Sequence, residues 1–163
     1  MRHIIAVQLQ NEAGALTRLA GLFASRGYNI ESLSVAATND PTLSRLTLVT
    51  TGDESAITQL LAQIQKLIDV VMVTDLTDGQ HIERELLIIR LKVSPNGLES
   101  LQQLTQEHGA RVLAQEPDNF VIELTQSEAD VNLFIAAVSR YGVIREVVRS
   151  GALALATTGM ADG

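Results

Sequence analysis

Cysteine and tryptophan are absent from the 163 residues, and the aromatic side chains amount to three Phe and two Tyr. Without cysteine the chain has no disulfide, no thiolate nucleophile and no thiolate metal ligand, which suits a reducing compartment. Because aromatic residues are so few, Leu, Ile, Val and Ala must fill the interior. The composition therefore predicts an ordered protein with an aliphatic core.

Long apolar runs and clusters of positive charge are missing as well. No stretch approaches the roughly 20 apolar residues of a membrane-spanning helix, and the N-terminus has no signal-peptide character. The formal net charge is −7 and is spread along the chain, so the protein's field repels phosphate backbones and anionic membranes. These absences predict a cytoplasmic protein that binds neither nucleic acid nor membranes.

The usual catalytic groups are few and scattered. His3, His81 and His108 fall on a strand start, a linker and a helix end, without a second histidine or a carboxylate at metal-binding spacing. Asp53 and Glu54 stand together at a helix start, where the helix dipole favours negative charge without any catalytic role. No glycine-rich phosphate loop follows a strand. We therefore expect no catalytic residue, no metal site and no cofactor on this chain.

The sequence does contain one order of elements twice. The first half predicts a strand over 3–10, a helix with its apolar stripe over 16–23, strands over 28–37 and 43–51, a helix stripe over 57–68 capped by Asp53, and a strand over 70–76. The second half predicts a strand over 86–93, a helix stripe over 98–108, strands over 111–115 and 120–125, a helix stripe over 131–138 capped by Ser127, and a strand over 143–148. Two β-α-β-β-α-β halves predict an α+β fold of two ferredoxin-like modules, each an antiparallel sheet with both helices on one face.

The polar stretch around Gly79 marks the expected boundary between the modules, because few apolar side chains there could pack across it. The predicted organisation is a first module over 1–77, a linker over 78–82 and a second module over 83–150. The remaining segment, 151–163, is rich in small residues and is expected to be a frayed tail.

The first strand-to-helix turn, residues 11–16, is the predicted ligand-binding feature. Amides at a helix N-terminus lack intrahelical acceptors and can hold a carboxylate, and Gly14 permits close approach because it has no Cβ. Asn11 adds a side chain that both donates and accepts, while Asn29 and Ile30 open the next strand. From the residues alone, the favoured explanation is that all of these are ordinary turn residues.

The segments NEAGALTRLAGLFASRGYNIESLSVA and TNDPTLSRLTLV resemble the N-terminal ACT domain of acetolactate synthase small subunits, also called acetohydroxyacid synthase regulatory subunits. The most specific parts are GYNIESL and DPTLSRLT. The likeness continues through KLIDVVMVTDLT and HIERELLIIRLKV to REVVRSGALAL, and so covers nearly the whole chain. The first module is thereby identified as an ACT domain.

The resemblance implies a regulatory subunit of acetolactate synthase, a thiamine-diphosphate-dependent transferase of branched-chain amino acid biosynthesis. Such a subunit activates the large catalytic subunit and confers feedback inhibition by valine. Thiamine diphosphate, Mg and FAD would all belong to the catalytic subunit. The resemblance also implies a homodimer through ACT sheet edges, with valine between the first turn of one chain and the second strand of its neighbour. Carried onto this sequence, the effector site consists of Asn11, Gly14, Ala15, Leu16, Asn29 and Ile30, with the amides of Ala15 and Leu16 meeting the carboxylate.

The sequence leaves three other functions open. The chain could be an amino-acid-binding ACT regulator of another enzyme or of transcription. A stand-alone enzyme of ferredoxin-like fold, such as a small phosphatase, lacks an arginine in the first turn to hold phosphate. A nucleic-acid-binding regulator is disfavoured by the negative charge and by central strands that offer aliphatic instead of aromatic side chains.

Overall fold

The computed structural model describes residues 1–158, and these form two compact units. One unit contains Met1–Ile82 together with the C-terminal segment from Ala152, and the other contains Glu83–Gly151. Each unit has the β-α-β-β-α-β order with an antiparallel sheet, which confirms the predicted pair of ferredoxin-like modules. No helix within the described part of the chain is long and apolar enough to cross a membrane.

The N-terminal unit is built on a four-stranded sheet with the order β2-β3-β1-β4. Its elements are β1 (Arg2–Gln10), α1 (Ala15–Ser25), β2 (Ile30–Ala37), β3 (Leu43–Thr51), α2 (Glu54–Ile64) and β4 (Val70–Asp75). Both helices pack on one face of the sheet, where Leu19 and Phe23 of α1 and Leu60 of α2 meet Val7 and Leu48. This is the helix-covered face that the alternation in the first strand predicts.

The second unit repeats this architecture with the strand order β6-β7-β5-β8. Its elements are β5 (His81–Val93), α3 (Leu98–Glu107), β6 (Arg111–Glu116), β7 (Asn119–Gln126), α4 (Glu128–Val138) and β8 (Gly142–Arg149). The core joins Leu87 and Ile89 of β5 to Leu101 of α3 and to Val131 and Phe134 of α4. The predicted linker over 78–82 is corrected at its end, since β5 already begins at His81.

Helix boundaries follow the predicted caps. The Asp53 carboxylate accepts from the amide of Ala56 at 2.9 Å, and the Ser127 hydroxyl accepts from the amide of Asp130 at 3.2 Å, which satisfies one otherwise open donor at each helix start. The predicted stripe over 57–68 is too long, because α2 ends at Ile64 and Ile68 is 90% exposed. The chain turns over residues 65–69 before β4, so Ile68 no longer follows the helical period.

The outer face of the N-terminal sheet, opposite its helices, is covered as well. A short strand, β9 (Leu153–Ala156), pairs with β5 and lies over this face. The buried cluster beneath it consists of Ile4, Ala6, Val49, Leu76, Ala152 and Ala154. The predicted frayed tail is therefore wrong for residues 152–158, which are packed, while its last five residues, 159–163, lie outside the described residues.

Hydrogen bonds to three parts of the N-terminal unit fasten this C-terminal segment. The amide of Ala152 donates to the Ser32 hydroxyl at 3.0 Å, the Arg45 guanidinium donates to the carbonyl of Ala154 at 3.0 Å, and the amide of Thr157 donates to the carbonyl of Gln80 at 3.0 Å. The partners come from β2, from β3 and from the residue just before β5. The segment is thus a structural part of the N-terminal unit.

Substituting Ala154 by Asp should detach β9, because Ala154 is 5% exposed and the carboxylate would have to be buried among aliphatic side chains. We expect the free energy of unfolding of the N-terminal unit to fall by about 2 kcal/mol or more. Amides of residues 152–157 should lose protection in hydrogen exchange. The matched control is Leu155→Asp, because the neighbouring Leu155 is 60% exposed. Equal protection in both variants would contradict the packing of β9.

Candidate functional site

The turn between β1 and α1 is held to the loop that precedes β3. The amide of Asn11 donates to the carbonyl of Thr42 at 2.8 Å, and the Asn11 side-chain amide donates to the carbonyl of Pro41 at 2.9 Å. These two bonds fix the orientation of the Asn11 carboxamide, whose Oδ1 accepts no hydrogen bond from residues 1–158. The oxygen remains available as an acceptor at the surface.

Gly14 sets the direction in which the helix leaves the turn. It is the N-cap of α1 with φ 87°, in the left-handed region, and no side chain caps this helix. Residues with a Cβ rarely adopt this conformation, so glycine is required by the backbone path itself. The first helical bond runs from the amide of Arg18 to the carbonyl of Gly14 at 2.9 Å.

The open donors at this helix start differ by one residue from those predicted. The amide of Ala15 turns back to the carbonyl of Glu12 at 3.3 Å, and the Ala15 side chain is buried. The amides of Leu16 and Thr17 donate to no acceptor within the described range 1–158. The pair of donors available to a carboxylate is therefore Leu16 and Thr17, and the Leu16 side chain beside them is 37% exposed.

An ion pair that the sequence analysis missed ties the turn together. Arg18 makes two bonds to the carboxylate of Asp69, from Nε to Oδ2 at 2.5 Å and from Nη2 to Oδ1 at 3.0 Å. The carbonyl of Asp69 accepts from the amide of Gln10 at 2.8 Å. Arg18 Nη1 lies 2.8 Å from the position that a Cβ on Gly14 would take. Asp69 thus joins the end of β1 to the first turn of α1.

The Asp69 carboxylate is an acid held in its ionised form. Its hydrogen bonds from Arg18 keep the pKa of Asp69 below its ordinary value, although burial of the residue, which is 6% exposed, acts in the opposite direction. The signal in the sequence was a lone acid between Ile68 and Val70, which needs a partner once it is buried. Contrary to the prediction that no arginine lies in the first turn, Arg18 is in the first turn of α1, but its guanidinium is already paired with Asp69.

A single chain does not bring together all six predicted effector-binding residues. Asn11, Gly14, Ala15 and Leu16 lie at the turn, next to Gln10, which pairs with Leu43 at the start of β3. Ile30 pairs with Thr50 near the other end of β3, and the carbonyl of Asn29 accepts from the Thr50 hydroxyl at 2.7 Å. Thr50 lies seven positions after Leu43 along β3, a distance of about 23 Å.

The residues with catalytic potential stay apart. The His3 ring lies 3.2 Å from the carbonyl of Gly52 and is buried, His81 lies 2.9 Å from the carbonyl of Gly79, and His108 lies 3.0 Å from the carbonyl of Leu104. Within residues 1–158, no group of three His, Asp or Glu side chains could hold a metal ion. Each histidine has a local structural contact, and the described part of the chain presents an open turn instead of a catalytic cluster.

The Arg18–Asp69 pair predicts a stability that depends on pH. Asp69 ionises at a lower pH in the folded protein than in the unfolded chain, where an aspartate has a pKa of about 3.9. Its contribution is therefore complete above that value and is lost as the pH falls through the lower pKa of the folded state. We expect Asp69→Asn to lower the free energy of unfolding at pH 7, and expect the difference from wild type to shrink below about pH 4.

Urea unfolding of both proteins across this pH range measures the effect. The control is Asp78→Asn, which removes an exposed carboxylate of the same unit and should show no such convergence. A difference between Asp69→Asn and wild type that persisted unchanged at low pH would contradict an ionic origin.

Comparison with known proteins assigns a family to both units. The pattern of the family described as an AHAS small subunit-like ACT domain matches residues 5–72, and that of the family described as the small subunit of acetolactate synthase matches residues 84–158. The acetolactate synthase small subunit from Thermotoga maritima, a solved crystal structure, superimposes with a TM-score of 0.85 at 28% identity. The superposition covers 98% of this chain and 99% of that one.

Relatives of higher identity cover nearly the full chain. The acetolactate synthase isozyme 3 small subunit of Escherichia coli strain K12 is 41% identical over 155 residues, which is 95% of each chain. The probable acetolactate synthase small subunit of Archaeoglobus fulgidus is also 41% identical, over 95% of this chain and 96% of its own. The chain therefore belongs to the family of acetolactate synthase small subunits, and its N-terminal unit is the ACT domain of that family.

Proposed function

We propose that this chain is a regulatory subunit that activates the large catalytic subunit of acetolactate synthase and makes it sensitive to valine. Membership of the small-subunit family supports the catalytic subunit as the partner, and the open turn at Gly14 supports an amino acid as the effector. The observation that carries the proposal is the pair of open amides on Leu16 and Thr17, presented beside a glycine that leaves the approach clear. Thiamine diphosphate, Mg and FAD would be bound by the catalytic subunit, and the complex would act in the cytoplasm.

The turn has the chemistry that an α-amino acid requires. Amides at a helix N-terminus, reinforced by the helix dipole, favour a carboxylate. The free Oδ1 of Asn11 can accept a hydrogen bond from the α-ammonium group, and the half-exposed Leu16 offers an apolar contact to a branched side chain. Arg18 is occupied by Asp69, so the selection of a carboxylate would rest on the main chain.

Sheet geometry supports a site shared by two copies of the chain. Both β1 and β2 run antiparallel to β3, so they are parallel to each other, and β2 is an edge strand with open main-chain groups. Antiparallel pairing of β2 with its own copy would place Ile30 of the second chain opposite Ala37. Ala37 is in register with Ser44, and Ser44 with Leu9, two residues before Asn11.

This register would bring Asn29 and Ile30 of the second chain to the turn of the first, which a single chain cannot do. Binding would then couple to the arrangement of the dimer. Valine would favour one arrangement, and the bias would be passed to the catalytic subunit with a coupling of about 1 to 3 kcal/mol. The full-length match to acetolactate synthase small subunits favours this function over an ACT regulator of another enzyme or of transcription.

Gly14→Asp should abolish valine sensitivity. The new carboxylate would stand beside the amides of Leu16 and Thr17 and would repel the carboxylate of valine, so we expect its affinity to fall by about 100-fold or more. The added Cβ also strains the left-handed backbone and meets Arg18 Nη1. These effects are local to one exposed turn, so activation of the catalytic subunit should persist. Calorimetry with valine and inhibition assays of the reconstituted holoenzyme measure the two effects.

Gly21→Asp is the matched control for this experiment. Gly21 lies on the exposed side of the same helix, has an ordinary φ, and has no atom within 4 Å of the position of an added Cβ. It should leave valine inhibition unchanged. Normal inhibition in Gly14→Asp would show that the effector binds elsewhere.

Asn29→Ala should weaken valine binding about tenfold through the loss of one polar contact, with activation retained. The shared site allows a sharper test by mixing this variant with Gly14→Asp. A mixed dimer has one site with both substitutions and one site with neither. Each mixed dimer should therefore recover one of its two high-affinity valine sites in calorimetry. No restoration in mixed dimers verified by mass spectrometry would exclude a site built from two chains.

A further inference from the structure

Apart from the turn, the N-terminal unit has a cavity on the face of the sheet opposite the helices, beside β9. It has a volume of about 220 Å³. Its main lining residues are Arg45 of β3, Met72 and Thr74 of β4, Leu76, and Leu155 and Thr158 of the C-terminal segment. The volume is large enough for a small organic acid.

Arg45 gives this cavity its charge. On β3 it pairs with Gln8 of β1 and Ala36 of β2, and neither neighbour is charged. Within residues 1–158 its guanidinium bonds only the carbonyl of Ala154, from Nη2 at 3.0 Å, and it faces no carboxylate. A guanidinium has five N–H donors in a fork that matches a carboxylate, so most of them remain unused.

The other lining residues determine which chemical groups of a ligand fit beside its carboxylate. Met72, Leu76 and Leu155 are aliphatic, and Thr74 and Thr158 contribute hydroxyl groups. No Asp or Glu is among the lining residues. An ammonium group placed here would have no anionic partner and would stand near the positive charge of Arg45, which disfavours a zwitterionic amino acid.

We propose that this cavity binds a short aliphatic carboxylate that carries no ammonium group, with its carboxylate on Arg45 and its alkyl chain against Met72, Leu76 and Leu155. The site lies on the face of the sheet opposite α1 and its turn, and it is independent of the proposed valine site. Because Arg45 also bonds Ala154, and β9 and its flanks supply Leu155 and Thr158, the ligand bridges the sheet and the C-terminal segment. Its binding therefore stabilises the docked form of β9.

The test uses 3-methylbutanoate as the probe and the full chain as the protein. Methyl signals of Met72 and Leu155 are followed by NMR as the probe is added. We expect a saturable shift with a Kd on the order of 1 mM. Two matched ligands define the chemistry: 3-methylbutanamide has the same skeleton without charge, and valine adds the ammonium group. Both should bind at least about tenfold more weakly at these methyl groups.

Protein variants distinguish the effect of the Arg45 charge on binding from the effect of the cavity volume. Arg45→Gln keeps a donor for the carbonyl of Ala154 but removes the charge, and should weaken 3-methylbutanoate binding by about tenfold or more. Thr74→Leu fills part of the cavity and should weaken 3-methylbutanoate binding without any change in charge. Arg26→Gln, which removes an exposed arginine at the end of α1, should have no effect.

Hydrogen exchange provides the second readout. Saturating 3-methylbutanoate should slow exchange of the amides of Ala152 and Thr157, which donate to Ser32 and Gln80, in wild type but not in Arg45→Gln. The proposal is overturned if no shift occurs at about 20 mM probe, if the amide or valine binds at these methyl groups as well as the acid, or if Arg45→Gln keeps full affinity. Gly14→Asp should leave 3-methylbutanoate binding unchanged. A negative result for valine binding at the turn and a negative result for acid binding in this cavity can therefore be told apart.

Discussion

The ion pair between Arg18 and Asp69 fixes the course of the chain at the turn on which the proposed function rests. Asp69 is buried, and burying a carboxylate that has no partner lowers the stability of the folded state. The two hydrogen bonds from the Arg18 guanidinium offset this destabilisation. The same residue accepts the amide of Gln10 through its carbonyl. Helix α1, the end of β1 and the start of β4 therefore meet at one residue, Asp69, and the guanidinium lies beside the left-handed Gly14.

Such an arrangement is pre-organised, because the main chain need not move for its amides to face a ligand. Asn11 is fixed by bonds to Thr42 and Pro41, and Gly14 already has the φ that opens the turn. The part of the proposed site that is absent from one chain is the strand start at Asn29. If the proposed function holds, the turn of each protomer binds valine without changing its own conformation. The response to valine then depends on how the two protomers are arranged in the dimer.

Much of the fold could be predicted because it is local. The apolar alternation of β1, the four-residue spacing of Ala15, Leu19 and Phe23, and the caps at Asp53 and Ser127 are all encoded within a few residues of where they act. The turn at Gly14 was recognisable for the same reason. Asn29 and Ile30 came only from a family resemblance, since no local pattern links them to a turn that lies about 23 Å away along the sheet.

The features that escaped prediction depend on distant parts of the chain. Arg18 and Asp69 are 51 positions apart. In the C-terminal segment the usual pattern is inverted, because Ala152 and Ala154 are buried while Leu153 and Leu155 are exposed. Ile4, Val49 and Leu76 already fill the outer face of the sheet, so only small side chains fit between it and the strand. The error at Ile68 came from extending a period past a turn.

The docking of β9 has a consequence for synthesis on the ribosome. The outer face of the sheet that holds the turn is covered by residues that leave the exit tunnel about 70 positions after Ile82. At about 5 to 20 residues per second this means a delay of roughly 4 to 14 s. During that interval Ile4, Ala6 and Val49 face water or a chaperone. The last stretch of the nascent chain therefore closes the first unit that emerged, and an mRNA cut short near its 3′ end would yield a protein whose defect lies at its beginning.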